Sequence, residues 1–315
     1  MSSVCRTKNP SCVTTHEIQL ITPYRLDLTV SALRRMPTNL IDVYTADGHY
    51  LRALGGFTAP VIVSVTQPRA DVLAVSVTGG AGDTEQALAC VRRMLGTERD
   101  VSGFHRRARA IPWLDPLARR MHGLKPPRYP ALFEAFANAI LFQQISLHAA
   151  SAIMHRLILA LGTSVEHNGV SLAMFPTVER FLGVDETVTR AVGLSAGKHA
   201  TLRRAGEAIA SGAISEAMLE ERSSADAALL LRGIKGIGPW TAAVILLRGL
   251  GRLDMFPGND SGVAANLALV AGSRVDAGPI IETLGAQRGM LYFCLLLARL
   301  EARGEIGRAS DVARW

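Results

Sequence analysis

The chain has little cysteine and no long apolar run, and each lack excludes a class of protein. Only Cys5, Cys12, Cys90 and Cys294 occur in 315 residues. They are too scattered for a zinc or iron–sulfur site and show no disulfide framework, so a reducing cytoplasm is the default compartment. The eight histidines show no metal-ligand spacing, such as a pair on one helical face. No stretch approaches the ~18 apolar residues of a membrane span, and the N-terminus lacks an apolar signal core. Gly289–Ala298 is apolar but short, as suits a buried core helix. A phosphate-binding loop, a dinucleotide fingerprint, tandem repeats and low-complexity segments are also missing.

What is present describes an ordered globular protein. Hydrophobic residues make up 49% and charged residues 19%, and the length suffices for two domains with sizeable cores. A formal charge of +7 and a pI near 9.6 suit a polyanionic partner, nucleic acid before an acidic membrane surface.

Residues 1–20 are polar and aperiodic and read as a mobile tail. From Tyr24 the pattern turns to period two, at Leu26, Leu28 and Val30, at Val61, Val63 and Val65, and at Leu73, Val75 and Val77, which predicts half-buried strands. Asp47-Gly48, between Ile41–Thr45 and Tyr50–Leu54, is a hairpin signal. Asp83 and Gln86 have the spacing of a capping box, and the helix they open carries Leu88, Val91, Met94 and Leu95 on one face. Strands with a helix packed on them predict a small α+β domain over residues 21–118. A Pro/Arg/Lys-rich passage, Trp113–Pro130, marks the passage to an all-α region, residues 119–315, in which everything after Pro130 reads as helix. Ala131–Leu161 has a long apolar face, and further helices are expected at Thr177–Leu182, Lys198–Ser211, Ser224–Leu231, Pro239–Leu250, Val263–Val270 and Arg288–Arg303.

The most informative stretch joins two apolar helical segments through Gly233, Gly236 and Gly238, followed by Pro239. Glycines permit a tight turn that another molecule can approach closely, and proline suits the first position of a helix. The start of that second helix, with its outward N–H groups and dipole, is a site for an anion such as phosphate. A Pro/Gly loop, Asp254-Met-Phe-Pro-Gly-Asn-Asp260, then presents a carboxylate.

These residues resemble the helix-hairpin-helix DNA glycosylase superfamily, in the branch of 3-methyladenine DNA glycosylase II. The interval from Gly238 to Asp260 matches that family's spacing between hairpin and catalytic Asp, and Trp240-Thr241-Ala242 is typical of the branch. Ala139–Ser146, Phe175–Thr177 and Gly193–Lys198 are further landmarks, so the resemblance spans roughly Leu20 to Arg303. It implies an N-terminal antiparallel-sheet domain followed by a mainly α-helical glycosylase domain. The partner would be double-stranded DNA with damaged bases, met by a monomer that is nucleoid-associated in a bacterium. The superfamily's four-cysteine iron–sulfur cluster is not expected, since only Cys294 lies in that half.

Base chemistry on a duplex requires flipping the nucleotide out. The resemblance implies the hairpin as backbone anchor, through Gly236, Ile237, Gly238 and Thr241, with Lys235 adding charge. It also implies a monovalent cation, Na or K, on the carbonyls of Arg232, Ile234 and Ile237. Gln144 stands at the position of the intercalating residue, and is otherwise a solvent-facing glutamine. Asp260 would stabilise the oxocarbenium-like transition state or activate water; an Asp there also suits the cap of the helix at Val263. Asp254 belongs to the loop entrance. Trp240 would stack on a cationic alkylated base, or be a core tryptophan. Val244, Ser261 and Gln287 stand where other members carry pocket aromatics, which opens the substrate spectrum. His105, Arg106, Arg107 and Arg109 form the densest basic run, either a DNA contact or a solvated face. A glycosylase/lyase would need a lysine where Trp240 stands. The reading is therefore a monofunctional glycosylase for alkylated bases of the 3-methyladenine and 7-methylguanine type. The alternatives are a glycosylase for a neutral lesion such as hypoxanthine or uracil, and a non-catalytic helix-hairpin-helix DNA-binding protein.

Overall fold

Residues 12–258 and 261–307 are described by the structure, a computed structural model. Strand β1 (Cys12–Gln19) precedes helix α1 (Leu26–Arg34), and four strands follow: β2 (Val43–Tyr44), β3 (Tyr50–Leu54), β4 (Val61–Arg69) and β5 (Val72–Gly79). They form one antiparallel sheet in the order β1-β5-β4-β3-β2. The period-two residues of β4 and β5, with Ile18, Tyr50 and Leu54, face a core closed by α1 and by α2 (Thr84–Leu95), whose Leu88, Val91, Met94 and Leu95 are buried. The hairpin signal at Asp47-Gly48 is the β2–β3 turn.

Three expectations for this region are corrected. Cys12–Gln19 is not part of a tail: it pairs along its length with β5. It is an edge strand with Ile18 as its core anchor and Val13 exposed, so it lacks an apolar period. Leu26–Val30 is helical, not a strand. Leu26, Val30 and Leu33 face the sheet core, while Leu28, Ala32 and Met36 face a second, helical core. The apparent alternation is two stripes of period 3.6 interleaved on one helix. Asp83 ends a short 3-10 turn and its side chain makes no capping bond, so the expected box does not form.

After α3 (Ser102–Ala108) and α4 (Leu114–Arg120), the chain is helical except for one hairpin. The expected long helix is two, α5 (Leu132–Leu141) and α6 (Leu147–Leu161), broken at a turn and restarted by Ser146, whose hydroxyl accepts the Ala149 N–H at 3.2 Å. The expectation of helix throughout is also corrected, because β6 (Thr163–His167) and β7 (Val170–Met174) form an antiparallel hairpin. Its Asn168-Gly169 turn has φ of 49° and 79°, the pairing that a two-residue hairpin loop requires. Leu172 covers Leu51, Ala53 and Ile62 on the outer face of the sheet.

There follow α7 (Val178–Leu182), α8 (Glu186–Ala191), α9 (Ala196–Ala210), α10 (Glu216–Glu220), α11 (Ser224–Arg232), α12 (Pro239–Leu250), α13 (Ser261–Ala271), α14 (Ala277–Leu284) and α15 (Gly289–Ala302). α12 crosses α5 closely because Gly249 lacks a side chain: a Cβ there would stand 2.8 Å from that of Ala135. Helices α3 and α4 pack on α13, α14 and α15 through Phe104, Leu114, Leu117, Leu291 and Leu297. Among the described residues no single helix is long and apolar enough to cross a membrane.

A buried ionic cluster joins sheet to helices. Arg52 of β3 bonds Asp42 at 2.6 Å and Glu134 of α5 at 2.5 Å. Burial is the largest influence on Glu134 and pushes its carboxyl up to about 7, against the pull of Arg52.

Candidate active site

The hairpin is built as its sequence requires. Ser223 caps α11 by accepting the Asp226 N–H at 3.1 Å. The chain then turns through Ile234 N–H to Leu231 C=O and Ile237 N–H to Ile234 C=O, both bonds near 3 Å. Gly236 has φ +101°, and a Cβ on it would press into Thr201, 2.8 Å from Cγ2. Glycine is therefore required there twice, by conformation and by packing. Gly238, extended at φ −90°, opens α12 ahead of Pro239, and no side chain caps that end.

The α5–α6 turn lies beside it. Gln143 reaches across, its Nε2 donating to Thr241 Oγ1 at 2.7 Å and to the Gly236 carbonyl at 3.2 Å. Lys198 Nζ holds the same turn from behind, donating to the carbonyls of Leu141 and Gln143, each at 2.8 Å. Between these fixed points Gln144 is exposed and left-handed, at φ 55°. A non-glycine residue held in that region is strained, by about 1–2 kcal/mol, and such strain concentrates at functional sites.

A cleft of about 1010 Å³ opens between hairpin and turn, bordered by Gln144, Gly238, Trp240, Gly262 and Tyr292. A glycine hairpin at the mouth of a cleft, with Gln144 facing it, is the arrangement the resemblance implies, and known proteins are similar to the chain in sequence and in fold. Over 186 residues the chain is 31% identical to the DNA-3-methyladenine glycosylase of Bacillus subtilis, 59% of this chain and 61% of that one. Over 129 residues it is 36% identical to DNA-3-methyladenine glycosylase 1 of Schizosaccharomyces pombe, 41% of this chain and 53% of that one. The solved 3-methyladenine DNA glycosylase of Archaeoglobus fulgidus superposes with a TM-score of 0.76 at 24% identity, over 90% of this chain and 98% of its own. No protein-family model matches. In sequence the chain is similar to DNA-3-methyladenine glycosylases, and its fold is that of the helix-hairpin-helix DNA glycosylases. Its match spans about half to three-fifths of the length of those two sequence relatives.

Measured against that superfamily's pattern, the site residues divide. Gln144, Gly236, Gly238, Trp240 and Thr241 come together at the cleft. Thr241 is only 2% exposed and engaged by Gln143, so it serves the junction of turn and hairpin. Lys235 is exposed, its carbonyl held by Arg204 at 3.2 Å. The Ile237 side chain is in the core, leaving only its backbone at the turn. Two expected pocket residues do not reach the cleft. Val244 is buried in the core shared with α5, α9 and α11, because α12 is covered on every side from Thr241 to Leu250. Gln287 donates to the Asp100 carbonyl at 3.0 Å and packs on Gly103, on the α3 side. Asp260 lies outside the described residues, as does the side chain of Ser261. The loop before it is pinned to the start of α15: Arg288 Nε donates to the Asp254 carbonyl at 2.6 Å and Gly289 N–H to that of Leu253 at 2.7 Å. In the basic run, His105 is half-buried and edge-on to His122; burial first, then neighbouring cations, lowers it to about 4. Cys90 and Cys294 are unpaired thiols, and among the described residues no cluster of His, Cys, Asp and Glu could hold a metal.

Sequence reasoning missed the buried side of this cleft. Arg35, directly after α1, borders the cleft with its guanidinium 4.3 Å over the Phe142 ring and Nη2 donating to Tyr292 Oη at 3.3 Å. Arg248 of α12, fully buried, donates to the carbonyls of Ala32 and Leu33 at 2.9 Å and so closes the C-terminal end of α1. Burial alone would raise the Tyr292 phenol, but Arg35 and Arg248 together carry it below its ordinary value.

Proposed function

We propose that this protein is a monofunctional DNA glycosylase of alkylation repair, hydrolysing the N-glycosidic bond of alkylated bases of the 3-methyladenine and 7-methylguanine type in duplex DNA. The observation that carries the reading is the shared cleft. Gln144, Gly238 and Trp240 border it together with Gly262, which follows Asp260 and Ser261 in sequence. At about 1010 Å³ it has room for a flipped nucleoside.

Phosphate would meet the start of α12, where Gly238 leaves the backbone open to close approach. Gln144, fixed by Gln143 and Lys198 at its base, would fill the gap left in the stack and hydrogen-bond the orphaned base. Trp240 would stack on the extruded ring, worth ~0.5–2 kcal/mol for a cationic one. Asp260 would face the positive charge that builds on the sugar as the bond to the base breaks, and would orient the water that adds at C1′. The departing methylpurine leaves as a neutral base without needing a proton. With Trp240 where a lyase would carry its lysine, no Schiff base forms and the product is an intact abasic strand.

The carbonyls of Arg232, Ile234 and Ile237 would hold a monovalent cation, Na or K, that tethers the turn to a phosphate. That of Ile234 already accepts the Ile237 N–H but keeps a second lone pair. The protein would act as a monomer in the cytoplasm, at the nucleoid in a bacterium.

The test is a panel of duplexes, each bearing one methylated purine, hypoxanthine, ethenoadenine or uracil, with release of free base measured. Release of a methylated purine without strand cleavage is expected. Binding without any base release would identify a non-catalytic hairpin protein instead, and trapping of a borohydride-reduced adduct would identify a lyase.

A further inference from the structure

In the wall of the cleft stands a phenol whose proton has no acceptor. Tyr292 lies on one helical stripe of α15 with Leu295, Leu296 and Arg299, and each of these borders the cleft. The stripe turns the tyrosine toward the cavity, and its side chain is partly exposed there. Its Oη accepts from Arg35 Nη2 at 3.3 Å and donates to nothing among the described residues. A phenolic oxygen is both donor and acceptor, so only half of this one is used.

The charge behind it is unbalanced. Arg35, Arg52 and Arg248 are all buried, and the buried carboxylates Asp42 and Glu134 are both bonded to Arg52. Among the described residues neither Arg35 nor Arg248 forms an ion pair, and both act on the Tyr292 oxygen. Unpaired guanidiniums beside a phenol favour its ionised form. Burial alone would raise Tyr292, but the two arginines outweigh it and hold the phenol below its ordinary value of 10. Tyr129 shows the contrast: its ring lies 4.9 Å under the Arg248 guanidinium, yet it is buried away from the cleft and burial carries it upward. A cleft-wall phenol with a free proton, backed by two cations that stabilise the oxygen once the proton has left, is built as an acid.

We propose that Tyr292 is the general acid of the cleft, giving its proton to a ring nitrogen of a departing base that carries no positive charge of its own. The inference rests on the glycosylase reading above and adds a catalytic residue to it. A cationic methylpurine leaves neutral without help, whereas an uncharged base leaves as an anion unless it is protonated. As the C1′–N bond breaks, its electron pair passes to the base and the phenol proton joins a ring nitrogen. Water adds at C1′ and releases a proton to solvent, and solvent returns one to the phenolate, so the balance is hydrolysis. Arg35 and Arg248 are positioning residues here, acting on the base only through the Tyr292 oxygen.

Two measurements test it. In the first, single-turnover release of a neutral base, hypoxanthine or ethenoadenine, is compared with release of 7-methylguanine in the wild type and in Tyr292→Phe. The variant keeps the ring and removes only the hydroxyl. Neutral-base release should fall roughly hundredfold while 7-methylguanine release changes by less than roughly threefold, the signature of a lost acid. Both rates come from one preparation, so a loss of folded protein cancels. An equal fall in both, or no fall in either, overturns the proposal and leaves the glycosylase reading standing. So does a wild type that releases 7-methylguanine but neither neutral base. No release of any base defeats the glycosylase reading and the proposal with it. In the second, the ultraviolet absorbance of phenolate is followed against pH in the free protein, and the Tyr292→Phe curve is subtracted. The difference should titrate below 10, and Arg35→Gln should move it up. A midpoint at or above 10, or one that Arg35→Gln leaves unmoved, overturns the proposal whatever the protein cleaves.

Discussion

Gln143 donates a 2.7 Å hydrogen bond to the hydroxyl of Thr241, and that bond fastens the turn carrying Gln144 to the hairpin. The glutamine also holds the Gly236 carbonyl, so one side chain sets the distance between Gln144 and the hairpin. Gln143→Leu should cost about 1–3 kcal/mol of stability, as befits two lost bonds, one to a hydroxyl and one to a carbonyl. Single-turnover excision should fall by about tenfold or more, since a wedge displaced by an ångström fails to hold the flipped state. Equal losses in Gln143→Leu and in a surface control would detach the bond from function.

The hairpin glycines should separate by kind of damage. Gly236→Ala forces a side chain into the left-handed region and into Thr201, and should destabilise by roughly 2–4 kcal/mol in thermal or urea unfolding. Thr201→Ala in the same background should restore part of it. Gly238→Ala meets open space at an ordinary φ, so its melting temperature should be unchanged while duplex binding weakens. Affinity for undamaged duplex should also drop steeply with salt, by about 0.9 in log K per log unit of salt for each neutralised phosphate.

Asp260→Asn keeps size and removes charge. Base excision should fall by orders of magnitude while binding to damaged duplex survives. Asp254→Asn should leave most activity, because it is the backbone carbonyl of Asp254 that Arg288 holds. The opposite order would shift the catalytic carboxylate to the start of the loop.

Stability should carry the mark of Glu134. Its folded carboxyl sits near 7, above its ordinary 4.5. The stability it lends is thus complete below about pH 4.5 and is lost as pH rises through 7. His105 has the opposite sign: lowered to about 4, it weakens the fold as pH falls below 6.5. The difference between wild type and Glu134→Gln cancels the histidine. Unfolding free energies measured from pH 4 to 8 should show the wild type losing ground to the variant as pH rises. A flat difference would mean that Arg52 keeps Glu134 ionised throughout.

The hairpin, α12 from Pro239 to Leu250, and the alternating strands around Val63 and Val75 could be read from sequence because local chemistry decides them. Gly236 suits a left-handed turn in any context, and β-branched alternation suits a sheet with one covered face. The Asn168-Gly169 hairpin carried its own signal but sat in a segment otherwise helical in pattern. Elsewhere tertiary packing decided. Edge strand β1 is held by backbone bonds that any sequence can make. Val244 is buried because elements far apart in the chain close over every face of α12. Arg35, beside Arg34 at a helix end, looks like a solvated cation; only the fold reveals that it is walled in next to Phe142 and Tyr292.

Helix α1 gives one stripe to the sheet core and the other to the helical core. A gene fragment encoding the helical part without residues 26–36 would therefore carry an open apolar seam along α15, and one encoding the sheet part alone would leave Leu28, Ala32 and Met36 in water. Neither piece is self-sufficient, so the two layers should melt in a single calorimetric peak. Over evolutionary time they would be inherited together, and exchange of either layer between relatives would succeed only where this helix travels with a partner for each of its faces.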